Sequence, residues 1–259
     1  MAVDGTISGS LEITEEASQS GDGGGNTGGD GGSSGTLVSY YAMDDGSGSQ
    51  ASDSEGSNDA DLKDGSATCS GGDCPSWVTG VQAQAINLDG SNDDLNVTNP
   101  SGLDFSEFTI STWIKLDQPL DQQPNSYPGL ASKRSGNEGF ALFLFDGAGD
   151  EDYPAIQTFI GNGTASETSD INISEYSWTE WQHVSVAYDG SILETYINGA
   201  SINSTTYPDL GPIQSADTSM TMGEVNDLTG NNLNGTIDEV KIWNESLSGS
   251  EIQDEYSSY

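Results

Sequence analysis

Phe108-Thr-Ile-Ser-Thr-Trp-Ile-Lys-Leu116 decides the fold class. Phe108, Ile110, Ile114 and Leu116 share one parity, and Thr109, Ser111 and Lys115 the other. That period of two is what a strand half-buried against a core requires. Working outward, Leu37-Val-Ser-Tyr-Tyr-Ala-Met43 is another short β-type run, and Gly139-Phe-Ala-Leu-Phe-Leu-Phe145 is almost continuously apolar. His183-Val-Ser-Val-Ala-Tyr188 and Ile192-Leu-Glu-Thr-Tyr-Ile197 flank Asp189-Gly190, a pair that announces a hairpin. Ala85 to Val97 reads as a further hairpin, two short strands around a Gly/Asn turn. One helix is expected, from Ser248 to Tyr256, with Ser248 as N-cap and Glu251 at the capping-box position. Many short strands between turn signals, and almost no helix, predict an all-β, two-sheet antiparallel jelly-roll sandwich with a short C-terminal helix.

Composition agrees. Hydrophobic residues make up 32% of the 259, and 34 are glycine, so the core is lean and the turns numerous. Residues 1–36 pass into a Gly/Asp/Ser-rich run that reads as a flexible acidic tail or linker, leaving 37–259 as the folded domain. Within that domain the stretch from Asp44 to Gly65 reads as a long acidic loop.

The charge narrows the function. Forty-two acidic residues against five basic ones give −37, which would drive the compact state apart in dilute buffer. At about 1 M salt the screening length falls to ~3 Å and that repulsion fades, so the expected source is a halophilic organism. Nucleic-acid binding is excluded for want of a basic stripe. No apolar run approaches the ~18 residues of a membrane span, so no membrane insertion is expected of this chain. The Met1 end lacks the basic and apolar regions of a signal peptide, which predicts either an intracellular chain or one already trimmed. Cys69 and Cys74, separated by Ser-Gly-Gly-Asp, read as a local disulfide and hence an oxidising compartment. The competing zinc site lacks ligands, since only His183 could join them.

Seven segments in order carry a resemblance: Tyr41-Ala-Met-Asp-Asp-Gly-Ser-Gly48, Asp53-Ser-Glu-Gly-Ser-Asn-Asp59, Ala85-Ile-Asn-Leu-Asp-Gly-Ser-Asn-Asp-Asp94, Phe108-Thr-Ile-Ser-Thr-Trp-Ile114, Trp181-Gln-His-Val184, Tyr196-Ile-Asn-Gly199 and Asn234-Gly-Thr-Ile-Asp-Glu-Val-Lys-Ile-Trp-Asn-Glu-Ser-Leu-Ser248. Together they resemble the laminin-G-like, concanavalin-A-like lectin family over residues 37 to 257. The resemblance implies a two-sheet jelly roll and, for many members, one bound calcium. Carried onto this sequence, it suggests Asp44, Asp53 and Asp238 as Ca²⁺ ligands, hard oxygen donors of the kind calcium takes. Asp238 stands out because Val240 and Ile242 share its parity, which would put a carboxylate in line with core positions.

Asp93 and Asp94, at the Gly/Asn turn, are a second ligand-binding candidate, as are Trp77 and Trp178, read as loop tryptophans able to stack on a sugar ring. For His183 the resemblance implies a structural histidine beside a buried tryptophan, against the alternative of a catalytic or metal-binding one. Six Asn-x-Ser/Thr sequons, at Asn96, Asn162, Asn172, Asn203, Asn234 and Asn244, fit an exported glycoprotein. No glycosidase-type run of alternating carboxylates, serine-hydrolase elbow or zincin helix occurs, so no enzyme activity is expected. The sequence therefore predicts a secreted or cell-surface module that binds glycans or cell-surface glycoproteins. The alternatives are a structural subunit packing against neighbouring copies in a surface assembly, and an accessory module of a larger glycoside hydrolase.

Overall fold

A computed structural model describes residues 36–70, 74–148, 153–228 and 231–259. The tail expected over 1–36 therefore lies, apart from Thr36, outside the described residues.

Two sheets, antiparallel throughout, face one another. In the first, β15 (Ala200–Thr206), β14 (Ile192–Ile197), β13 (Gln182–Tyr188), β8 (Phe108–Leu116), β17 (Asn234–Trp243), β6 (Gln84–Asp89) and β5 (Ser76–Thr79) lie side by side in that order, and β1 (Leu37–Tyr41) also pairs with β17. The second runs β12 (Ser166–Asn172), β11 (Ala155–Asn162), β10 (Glu138–Phe145), β9 (Gly129–Ser135), β16 (Met220–Met222), β7 (Asp93–Val97), β3 (Ala60–Asp64) and β2 (Gln50–Ala51), with β4 (Ala67–Thr68) also on β3. Strands distant in sequence are neighbours at both centres, β8 against β17 and β9 against β16, which is jelly-roll connectivity.

The core fills the space between the sheets. Ile110 and Ile114 of β8 meet Phe140 and Leu142 of β10 there, all at most 2% exposed. The Phe108 ring lies 5.1 Å from that of Phe140 and 6.3 Å from that of Tyr188, tying the sheets together at one end.

The alternation in β8 marks its core face correctly, yet the strand is buried on both faces. The cause is the C-terminal helix α1 (Gly249–Ser257), which covers the outer side. Trp113 packs its ring 5.6 Å from Tyr256 and 5.7 Å from Tyr259, and Thr109 Oγ1 donates to the Glu245 carbonyl. The capping box forms as expected: Ser248 Oγ accepts the Glu251 N–H and Glu251 Oε2 accepts the Ser248 N–H. His183 is fully buried in the same layer, its ring 5.2 Å from Trp113.

Two expectations are corrected. The segment from Ala85 to Val97 is not a hairpin, because β6 belongs to the first sheet and β7 to the second. Its Asp-Gly-Ser-Asn turn is an arch across the sandwich; Leu88 and Leu95 reach one core from opposite sides, and alternation alone does not say which partner a strand pairs with. The acidic stretch from Asp44 to Gly65 is not a plain loop either, for it holds β2 and the whole of β3. What orders it is Asp53, 8% exposed, whose carboxylate accepts from the backbone N–H groups of Tyr40, Glu55, Gly56 and Asn58 and from Ser39 Oγ.

The disulfide forms between Cys69 and Cys74, with Cα atoms 5.6 Å apart, and joins β4 at the margin of one sheet to β5 at the margin of the other.

Candidate functional site

At the end of the sandwich where β8 and β10 finish and β9 begins, residues 119–121 and 173–179 with Asp146 and Pro154 line a cavity of about 430 Å³. Leu120, Asp121, Asp146, Tyr176, Ser177 and Trp178 supply most of its character. Trp178 is fixed from below, since its carbonyl accepts the N–H of Leu116, the last residue of β8. Tyr176, half-buried, stands 6.3 Å from the Trp178 ring at 58°. Leu120 sits on a single 3₁₀ turn, Leu120–Gln122, and Asp146 Oδ1 accepts the Ala148 N–H, which shapes the turn after β10. Trp178 is 5% exposed, and its indole Nε1 has no hydrogen-bond partner among the described residues. Trp178 packs into the core and walls the cavity from below, so the half-buried Tyr176 supplies the ring; an aromatic face beside carboxylate and hydroxyl groups suits a sugar, which presents C–H patches to the one and O–H groups to the other.

Of the tryptophans expected to bind, Trp178 lies in the cavity and Trp77 does not. Trp77 belongs to β5 and not to a loop; it is half-buried against the core, with Nε1 donating to the Gly48 carbonyl. Tyr176 and Asp121 escaped the sequence reading, although both flank turn residues in long connections, where binding groups concentrate.

The three carboxylates suggested for calcium are arranged unequally. Both oxygens of Asp53 are taken up by the five donors named above. Asp44, exposed, and Asp238, fully buried, both hold the 80–84 turn: Asp44 Oδ1 accepts the Gln84 N–H and Asp238 Oδ2 the Val81 N–H. The parity argument for Asp238 is corrected. A β-bulge between Asp238 and Lys241, where Glu239 adopts φ 53°, shifts the register of β17. Asp238 thus stands opposite Trp113, on the outer face, whereas Ile242 stands opposite Ile110 on the core face. Its burial comes from the 80–84 turn folded over it. Asp238 Oδ1 has no partner among the described residues, and burial, reinforced by the Glu239 charge, pushes its carboxyl up to about 8 against the lesser pull of backbone N–H groups.

Beside it, Asp238 Oδ2 and the carbonyl oxygens of Gln82 and Gln84 all crowd the position that a Cβ on Gly80 would take, at 2.3, 2.7 and 2.5 Å. That crowding leaves room at position 80 for glycine alone, and the oxygen left over for a cation is Asp238 Oδ1, a hard donor of the kind calcium uses. Among the described residues no group of three or more His, Cys, Asp or Glu side chains is placed to hold a metal, so carbonyl oxygens would have to complete any such site.

Asp93 and Asp94 are both buried. Asp93 shapes the arch, its Oδ2 accepting the Asp89 N–H and its carbonyl the Asn232 side chain. Asp94 sits opposite Lys63; burial first, then the Glu224 and Asp93 charges, push its carboxyl up to about 7 against the pull of Lys63. Neither lies in the cavity. Among the sequons, Asn172 and Asn244 are exposed, while Asn96, Asn162, Asn203 and Asn234 are half-buried. The side-chain nitrogens of Asn96 and Asn162 donate to Ser219 Oγ and the Leu210 carbonyl, and that of Asn203 to Thr205 Oγ1.

The facing sheets, the crossed strand order and the loop-end cavity define a jelly-roll sandwich of lectin type. A family model described as the concanavalin A-like lectin/glucanases superfamily matches residues 89–253, and the chain belongs to that family. No curated protein matches it. Among solved structures, it is similar to domain 4 of AbnA, a GH43 extracellular arabinanase from Geobacillus stearothermophilus, in complex with arabinotriose. That likeness has 20% identity and a TM-score of 0.61 over 85% of this chain and 98% of that one. It is also similar to the binding domain of Paraclostridial Mosquitocidal Protein 1 (18% identity, TM-score 0.66, 86% of this chain and 52% of that one). A third is the ligand-binding domain of botulinum neurotoxin serotype D in complex with N-acetylneuraminic acid (17%, 0.63, 86% and 50%). The chain spans about half the length of these toxin domains, and at such identities the likeness is one of fold.

Proposed function

We propose that this protein is a carbohydrate-binding recognition module that works outside the cell in strong salt, is stabilised by calcium and catalyses no reaction of its own. The observation that carries the reading is the loop-end cavity, where Trp178 and Tyr176 converge with Asp121, Asp146 and Ser177. Support comes from the fold: domain 4 of the arabinanase was solved with arabinotriose and a toxin binding domain with N-acetylneuraminic acid. An open site of this size binds a short glycan weakly, so useful adhesion would come from several copies or a neighbouring domain. The Cys69–Cys74 disulfide and the exposed sequons at Asn172 and Asn244 fit export. In this reading calcium would bind beside the Asp238 carboxylate, with Asp44 and carbonyl oxygens of the 80–84 turn as further donors, while Asp53 serves the fold.

The rival, a structural subunit packed against its copies, calls for an apolar edge or face. The edge strands β12 and β15 read Ser-Glu-Thr-Ser-Asp-Ile-Asn and Ala-Ser-Ile-Asn-Ser-Thr-Thr, and Tyr127 is the exposed large hydrophobic among the described residues. A glycan array probed in strong salt tests the proposal. Selective binding that Tyr176→Ala and Trp178→Ala both weaken at least tenfold is expected; Tyr176, half-buried, guards against loss by misfolding. Binding unchanged by either substitution would move the site elsewhere, and no binding to any glycan would favour the structural rival.

A further inference from the structure

A second cavity, about 420 Å³, opens at the other end of the sandwich, between the connection from β7 to β8 and the one leading into β16. Its walls are Asn99, Asp104, Ser215, Asp217, Thr218 and Ser219. The nine-residue β8 separates the two ends, which places the cavities roughly 30 Å apart at ~3.3 Å per residue.

Its floor is unusual. Lys133, 3% exposed, sends its ammonium to Asp104 Oδ1 at 3.2 Å, Ser215 Oγ at 2.6 Å and the Ala216 carbonyl at 2.5 Å, and Ser215 Oγ also reaches Asp104 Oδ1 at 2.6 Å. A buried cation is costly unless its protons are paired, and here three partners from two loops take all three. The ammonium therefore clamps the two loops together and holds the cavity open in one shape. Above that clamp, the side chains of Asn99, Asp217 and Thr218 make no hydrogen bond among the described residues, and Asn99 is held at φ 53°. A rigid polar hollow is thus lined by free amide, carboxylate and hydroxyl groups, with no aromatic ring.

We infer that this hollow is a second saccharide site, selective for uncharged sugars, and that one domain bridges two glycans, a consequence that rests on the first cavity also binding glycan. Selectivity follows from charge. The nearest cation has no proton left to offer a sugar carboxylate, while Asp104 and Asp217 repel one and accept hydrogen bonds from sugar hydroxyls. Ser215 and Lys133 keep the Asp104 carboxyl below its usual range, so it stays an acceptor.

The test is amide chemical-shift mapping on the full chain in strong salt, titrated with neutral oligosaccharides, arabinotriose among them, and with trigalacturonate as the charged control. Saturable shifts in 98–104 and 215–219 are expected with a neutral sugar and not with trigalacturonate. They should persist in Tyr176→Ala and weaken at least tenfold in Thr218→Trp, which fills the hollow, and in Asp217→Asn, a change at an exposed position. Shifts confined to 119–121 and 173–179 would overturn the second site and leave the first. Shifts at 215–219 alone would keep this site and sink the first. Silence at both ends would sink both, and an equal response to trigalacturonate would refute the selectivity.

Discussion

His183→Phe should abolish one component of this protein's acid sensitivity. The imidazole is fully buried, with Trp113, Tyr256 and Tyr259 rings 5.2, 5.7 and 6.4 Å away and neither nitrogen hydrogen-bonded among the described residues. Burial, and secondarily the Lys241 charge, pull its pKa down from 6.5 to about 4. The unfolded chain therefore takes up a proton near pH 6.5 while the folded chain refuses it until about pH 4, so the stability contributed by neutral His183 is whole above 6.5 and lost as pH falls through 4. At ~1.4 kcal/mol per pH unit, a depression of that size is worth about 3 kcal/mol. Phenylalanine keeps the ring and removes the titration. Denaturant unfolding of both proteins in strong salt, from about pH 7 to pH 4, isolates the effect, because the carboxylates common to both cancel in the difference. The variant should gain on the wild type by ~3 kcal/mol across that window. Stability curves that stay parallel would mean that His183 is charged or solvated, and would refute the argument.

Asp53→Ala leaves five donors without their acceptor and should cost about 3–5 kcal/mol, read as a fall in Tm without loss of the loop-end cavity. Calcium should raise the melting temperature of the wild type and not of Asp238→Asn; a rise that survives the substitution would remove Asp238 from the site. Transfer from strong salt to dilute buffer should unfold the domain, since only three ion pairs, Lys63–Asp61, Lys133–Asp104 and Lys241–Glu255, occur among the described residues of a chain carrying −37. A melt indifferent to salt would sink the halophilic reading.

Local pattern alone determined much of this protein. The strand at Phe108–Leu116 and its core face, the Asp189-Gly190 hairpin, the capping box at Ser248 and the short Cys69–Cys74 loop are set by neighbours in the chain and stand in the structure as the sequence implies, although the helix buries the outer face of that strand as well. Trp178 was also legible as a loop aromatic. What only the tertiary structure decided are the pairings between distant segments. Alternation from Ala85 to Val97 fits a hairpin as well as an arch, and the choice depends on two sheets competing for the same strands. The bulge at Glu239 turns Asp238 from the core face to the outer face, and no count of residues reveals one extra residue in a ladder. Nor does sequence place Tyr176 beside Asp121 and Asp146, or Lys133 between Asp104 and Ser215. Those groups stand many residues apart along the chain, and only the closing of the sandwich, driven by burial of the core, brings each set together.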